Sequence, residues 1–479
     1  MAIGTISLPQ RPIESAAKVP VITNWTPVVP YTVKQTDITD LFYFKFIFEI
    51  RIDDASGELL GKIKQRPNGY ATGTTNVYAV YDISDIINTQ LENTFADQDD
   101  TTKSIHTLGK NNTGKLLSHN SNQLRYIYVK AYQEYSAGAN ISPTENTSVN
   151  APNQKYYIKA SLPLETPRTS GTYFQGTAFQ TYQTKSATSL LLSDMQESTV
   201  DVVLPLGETR TKVRRSYVQN GDFQTVGFLN SKSIFDSDIE KWIIRFYTSA
   251  GVQIGGDGAL SNETGNGGAL PATEATTNAK RLIYLGCGPA NLNAQSTADL
   301  KPDNASGWSY YTITGYNTAA SVQKIEPYYF IKLDESCKGF KSRRLGWVNS
   351  LGCWDYFTFK MKSKQSVDVK KDSFGQVLGE YNSTEYSYNN FDSTRKVRKT
   401  DAILKETLNT DWITEQDAEL IEKCVMSTDV FIIENADTTY TVPVLVTNKN
   451  IVRKTRVNDG IKIKYTINIE YSNPLNTNS

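Results

Sequence analysis

Histidine is nearly missing from this chain: His106 and His119 are the two present among 479 residues. Two imidazoles cannot supply a multi-histidine metal centre or a histidine relay. Cysteine is almost as scarce. Cys287, Cys337, Cys353 and Cys424 are too dispersed for CxxC zinc units and too few for a disulfide scaffold, so they are expected as reduced, buried thiols. Neither sign of charge is in excess. Lys and Arg number 50, Asp and Glu also 50, which leaves no global field to draw in nucleic acid or an anionic membrane, and no specific nucleic-acid binding is expected. No apolar run approaches the ~18 residues of a membrane span. The most apolar stretch, Leu41 to Ile52, is interrupted by Lys45, Glu49 and Arg51, so no membrane insertion is expected. Met1 to Pro20 has no basic segment followed by an apolar one. Cytoplasmic synthesis without a signal peptide is the expectation.

What is present is aromatic and strand-forming. The 28 Tyr outnumber the 18 Phe and 6 Trp, and tyrosine suits half-buried strands and wet interfaces. Phe44, Phe46, Phe48, Ile50 and Ile52 alternate with Lys45, Ile47, Glu49 and Arg51, the period of two that buries one face of a strand. A turn signal at Pro67-Asn68-Gly69, a strand over Val77 to Tyr81, a short helix from Asp85 to Leu91 capped by Ser84, and a second alternating strand from Leu124 follow. The pattern predicts a mainly β, multi-domain chain of β-sandwiches, Ig-like or jelly-roll-like, with one or two short helices. Residues 1–136 read as an N-terminal sandwich and 137–154, rich in Ser, Thr, Asn and Pro, as a linker or loop. Residues 155–334 read as a central sandwich with a long exposed Gly-rich loop at 251–278. Residues 335–479 read as a C-terminal β domain with a helix over 415–426. In that helix Thr414 is the N-cap, Asp417 stands at the third helical position, and Ala418, Ile421 and Val425 recur at helical spacing, widened by Leu420 and Cys424.

Motifs that carry chemistry are weak. Gly109 to Lys115 matches GxxxxGK, but Leu116 stands where a phosphate loop needs a hydroxyl, and no buried strand precedes it. Asp97 to Asp100 lacks the glycine and terminal glutamate of a calcium loop, and Gly255 to Gly258 is a single Gly-Gly-Asp-Gly unit without a repeat. The basic clusters at Arg210 to Arg215 and Arg395 to Lys399 are short and read as solvated surface. No catalytic residue, metal site or cofactor is expected, and the chain is read as non-enzymatic. The densest aromatic segment is Leu345 to Phe359. It reads as strand, Asn-Ser-Leu-Gly turn and strand, with Trp347, Trp354, Tyr356 and Phe357 as core anchors or interface rings. A sugar-stacking platform is the functional alternative for these rings.

The segment GFKSRRLGWVNSLGCWDYFTF, Gly339 to Phe359, resembles a recurring segment in structural proteins of tailed bacteriophages. Three further pieces are similar to the same proteins: Phe44 to Ser84, Gly286 to Asn291, and Asp411 through the helix to Val444. Their order along the chain carries the resemblance. It implies a virion component of the tail, baseplate, collar or fibre attachment, which assembles as a symmetric oligomer with other virion proteins. A tail module that binds a host-surface glycan is the alternative. Cys353 stands where that pattern has glycine, which leaves the turn geometry open.

Overall fold

A computed structural model describes residues 21–22, 30–36, 38, 40–70, 76–93, 95–96, 104–109, 116–120, 123–147, 153–158, 190–195, 202–203, 209–210, 214–229, 239, 241–261, 282–316, 323, 327–333, 340–433, 441–452 and 463–478. The protein is mainly β and divides into two compact units. Unit 1 comprises Met1–Leu333 with Val348–Asp355, and unit 2 comprises Asp334–Trp347 with Tyr356–Ser479.

Unit 1 holds two sheet pairs. In the first, Phe42–Ile52 lies between Leu59–Gln65 and Leu124–Ser136 in a six-stranded sheet. The expected alternation does its work there. Phe44, Phe46, Phe48 and Ile50 are buried with Ile127 and Val129 against Tyr31, Val33, Val77 and Ala79 of a three-stranded sheet built from Pro30–Gln35, Val77–Asp82 and Gly69–Tyr70. Phe48 stacks on Tyr81 with centroids 5.0 Å apart. This is a sandwich: two sheets whose inner faces supply one core. The second pair joins the five-stranded sheet around Lys241–Tyr247 and Tyr310–Tyr316 to a four-stranded sheet around Thr225–Leu229 and Leu282–Gly286. Its core includes Phe228, Trp242, Phe246, Ile283, Tyr311 and Phe330.

Several sequence expectations are corrected here. Leu117–Asn120 lies within residues 1–136 yet pairs with Leu282–Gly286 and completes the second sheet pair. Its Leu-Ser-His-Asn sequence carries too little periodicity to announce a strand. Within 137–154, Thr144–Asn146 is a strand on Leu124–Ser136, so part of that segment belongs to the sheet. The supposed exposed loop at 251–278 begins as strand Gln253–Ser261, paired with Lys241–Tyr247, and residues 262–278 lie outside the described residues. Gly258 is there for space: a Cβ on it would lie 2.5 Å from the Asp299 carbonyl oxygen. The first helix spans Ser84–Asn88, with Ser84 inside it and no side-chain cap at Ile83. Asp82 accepts instead from the Ser84 amide and hydroxyl, both at 3.0 Å. A short helix at Pro289–Asn293 has no periodic signal. Asn291 pins it, accepting from the Gln224 amide and donating to the His106 and Leu108 carbonyls.

Unit 2 centres on an eight-stranded sheet in the order Trp354–Phe359, Arg343–Val348, Val430–Ile433, Thr441–Val446, Thr466–Tyr471, Arg395–Asn409 and Lys364–Gly375, with Asn476–Asn478 also on Arg395–Asn409. The helix spans Glu415–Met426 and has the full capping box. Thr414 Oγ1 accepts from the Asp417 amide at 3.3 Å, and Asp417 reaches back to the Thr414 amide. Ala418, Leu420, Ile421 and Cys424 are its buried apolar residues, with Val425 at their margin.

Candidate functional site

Two places in the fold depart from ordinary core and ordinary surface. One is the turn between Arg343–Val348 and Trp354–Phe359. Asn349 builds it: its amide donates to the Cys353 carbonyl at 2.7 Å, and its Oδ1 accepts from the Leu351 and Cys353 amides at 3.1 and 2.9 Å. Gly352 has φ +86°, so the left-handed position that needs glycine is residue 352, and residue 353 is free to carry a side chain. The Cys353 thiol fills the space opposite Gly227, where a Cβ would lie 2.4 Å from its Sγ. Burial raises the pKa of this thiol and that of Cys424, which makes both inert. Cys287 is buried as well and in no disulfide, and Cys337 lies outside the described residues.

The same turn, within unit 1, closes over two carboxylates. Asp355 accepts from Ser193 Oγ at 2.6 Å, from the Asp194 amide at 2.7 Å and from Asn349 Nδ2 at 3.1 Å. Asp194 accepts from the Ser350 amide at 2.6 Å and from the Ser350 hydroxyl. Burial, followed by the charge of Asp194, pushes the Asp355 carboxyl up to about 7, although the three donors favour its charged form. His106 is fully buried with Trp354 edge-on at 4.6 Å and Phe95 at 5.2 Å, and burial pushes its pKa down to about 3. The cluster is therefore a polar staple inside a packed region. Its two carboxylates are filled by protein donors, which leaves them poorly placed to work on a substrate.

The four aromatic candidates divide between the units. Trp354 is buried in unit 1. Trp347 and Tyr356 are buried in unit 2, where Tyr356 lies 5.3 Å under the Arg344 guanidinium. Phe357 is half-buried, edge-on to Phe359 at 5.0 Å. Three of the four are core anchors, and buried rings present no face to a sugar.

The second unusual place leaves only a weak signal in the sequence. Lys364–Gly375 and Arg395–Asn409 form a long antiparallel hairpin, paired from Lys364↔Thr407 to Gly375↔Arg395. At its root Arg343 Nε donates to both oxygens of Glu406, at 3.0 and 3.2 Å, and Gln365 and Tyr471 donate to the same carboxylate. Burial raises the Glu406 pKa, but these donors outweigh it and hold the carboxyl below its ordinary value. Beyond the root the hairpin becomes an arm with little cover. Val367, Val369, Phe374 and Val397 are exposed along the stem. The tip, 376–394, carries a two-stranded piece, Glu380–Tyr381 with Tyr386–Ser387. There Val377 is 82% and Phe391 84% exposed, and Tyr381, Tyr386 and Tyr388 are each more than half exposed. The signal that marks this arm is the pairing of Gly, Asn and Ser turn residues with Tyr and Phe in a segment otherwise free of core pattern.

The basic clusters resolve differently. Arg395 to Lys399 is exposed on the arm, as the sequence suggested. Arg214 and Arg215 are buried in strand Arg214–Val218, which corrects the solvated-surface reading for that end of the first cluster. Strand pairing with Tyr328–Lys332 carries them inward, and Arg215 lies 5.4 Å from the Tyr217 ring. Residues 97–100 and 110–115, the acidic turn and most of the GxxxxGK segment, lie outside the described residues. Among the described residues no three His, Cys, Asp or Glu side chains are grouped to hold a metal, and no helix is long and apolar enough to cross a membrane. No protein-family model matches this chain, and no curated protein matches it.

Proposed function

We propose that the protein is a non-enzymatic structural component of a tailed-phage virion, in the tail, baseplate, collar or fibre attachment, that assembles with copies of itself and with other virion proteins. The observation that supports this reading most is the arm. A two-stranded hairpin without a covered face is marginal in water, and an exposed apolar edge invites association. A protein whose work is contact puts such an element outside its core. Its Tyr-rich tip has the composition of an interface. The ordered similarity of four sequence segments to phage structural proteins points the same way. The test is mass spectrometry and antibody labelling of purified particles. Stoichiometric presence at one virion location is the expected result, and absence from particles overturns the reading. Exposure of Tyr381, Tyr386 and Tyr388 favours, as a second reading, a tip that stacks on host glycan. Glycan-array binding lost on changing these tyrosines to alanine is its expected result.

A further inference from the structure

We infer that the acidic, aromatic tip of the arm docks on the basic stem of the arm of a second copy of this chain. The inference rests on the assembly reading above and names its contact. The tip, 376–394, contains Glu380, Glu385 and Asp392 and no Lys or Arg. The adjoining stem, 370–375 with 395–399, contains Lys370, Lys371, Arg395, Lys396, Arg398 and Lys399 against the single carboxylate of Asp372. All six basic residues are exposed, and one of them, Lys399, also pairs with Asp401 at 2.9 Å. One arm thus carries two surfaces of opposite sign in a chain whose total charge is zero.

Ring chemistry adds to charge. Tyr381, Tyr386, Tyr388 and Phe391 stand exposed on the acidic tip, and the faces of such rings attract ammonium and guanidinium groups. The tip is therefore doubly selective for a cationic partner. Among the described residues Lys364–Gly375 ends the sheet order with Arg395–Asn409 as its one neighbour, so no described strand pairs with its outer edge along 12 residues, roughly 40 Å of backbone at strand rise. The ladder from Lys364↔Thr407 to Gly375↔Arg395, with one register shift after Asp372, keeps the stem extended, and the tip begins where that ladder ends. The basic surface that suits the tip is thus the stem of another copy. Two arms laid antiparallel make the contact twice by one two-fold operation, the isologous arrangement commonest in homo-oligomers.

A charge-swap experiment on the full chain tests this by sedimentation velocity across protein concentration. The wild type is expected to self-associate, more weakly when salt rises from about 0.05 to 0.5 M. The tip variant Glu380→Lys/Glu385→Lys/Asp392→Lys and the stem variant Lys370→Glu/Lys371→Glu/Lys396→Glu are each expected to associate about tenfold more weakly or worse, because like charges then face each other. An equimolar mixture of the two is expected to recover association, as is the chain carrying both sets. Unchanged melting temperatures show that each variant folds. A wild type that stays monomeric, a tip variant that associates as before, or a mixture that fails to recover overturns the inference. Failure here with the protein still present in particles removes the arm contact alone, whereas absence from particles removes the virion reading and leaves the charge-swap result standing.

Discussion

Two of the long β-hairpins among the described residues obey the same pairing rules and meet opposite fates. Phe42–Ile52 with Leu59–Gln65 in unit 1 and Lys364–Gly375 with Arg395–Asn409 in unit 2 are both antiparallel, and each ladder has one register shift, after Ile50 and after Asp372. The first lays Phe44, Phe46, Phe48 and Ile50 against a second sheet. The second holds Val367 and Val369 half in water. Backbone ladders exchange water hydrogen bonds for protein ones at a net gain of only ~1 kcal/mol each. The difference between the hairpins therefore lies in cover, and cover is where most of the stabilising free energy comes from. The covered hairpin is scaffold, and the uncovered one is available for contact.

The largest expected effect is the contrast itself. Phe48→Ala opens a cavity in a fully buried site and is expected to cost about 3–5 kcal/mol. Val369→Ala on the arm is expected to change stability by less than ~0.5 kcal/mol. Urea unfolding of the two variants checks both values. A similar loss at Val369 would mean that the arm is covered within one copy.

The root of the arm behaves like core although its strands do not. Arg343→Leu leaves the Glu406 carboxylate buried without its cation, with an expected loss of about 3–5 kcal/mol. The sign with pH is set by the carboxyl. Glu406 is held below its ordinary pKa, so its contribution is present above the unfolded-state value and disappears as pH falls through the folded value. In Arg343→Leu burial acts unopposed by that cation. The carboxyl then rises, and melting temperature should peak at a more acidic pH than in the wild type.

How far this was legible depends on whether a residue's partner is close in sequence or announced by period. Phe42–Ile52 was readable because one buried face imposes alternation. The helix was readable because the Thr414 to Asp417 capping box is a contact three residues long. The Asp355 staple was not, since Ser193 lies 162 positions away and nothing local to either residue marks the pair. The arm was missed for a different reason. Periodicity reports burial, and strands that bury neither face, such as Lys364–Gly375, leave only the short Val367/Val369 alternation behind.

Within unit 1 the buried turn offers a smaller effect with two opposed signs. Asp355 has its folded pKa raised to about 7, so its contribution is complete at acid pH and is lost as pH climbs through that value. His106 has its folded pKa lowered to about 3, so its contribution is complete above the unfolded value near 6.5 and is lost as pH falls below it. Each group while titrating gives a slope of up to ~1.4 kcal/mol per pH unit. Between pH 8 and 6.5 Asp355 is the one of these two groups that contributes, and stability should rise on acidification. Below 6.5 the two groups oppose each other and the curve should flatten. Asp355→Asn is expected to remove the rise between pH 8 and 6.5. His106→Gln is expected to let the rise continue below 6.5. Melting temperature against pH for the three proteins decides it, and a wild-type curve flat from pH 8 to 6.5 would show that Asp355 does not titrate there.

The smallest expected effect tests the far end of the uncovered hairpin. Phe391 is 84% exposed, so Phe391→Ser removes almost no buried area and should leave stability within ~0.5 kcal/mol of the wild type. That near-zero value is informative because the same substitution deletes a ring from the proposed contact. If the tip serves contact, dilute unfolding curves coincide while self-association weakens, and the two measurements separate. If the ring were scaffold, both would fall together, and a loss above about 1 kcal/mol in dilute solution would place Phe391 under cover in the free chain. The hairpin in unit 1 can never show that separation, because each of its inward rings is already committed to the fold.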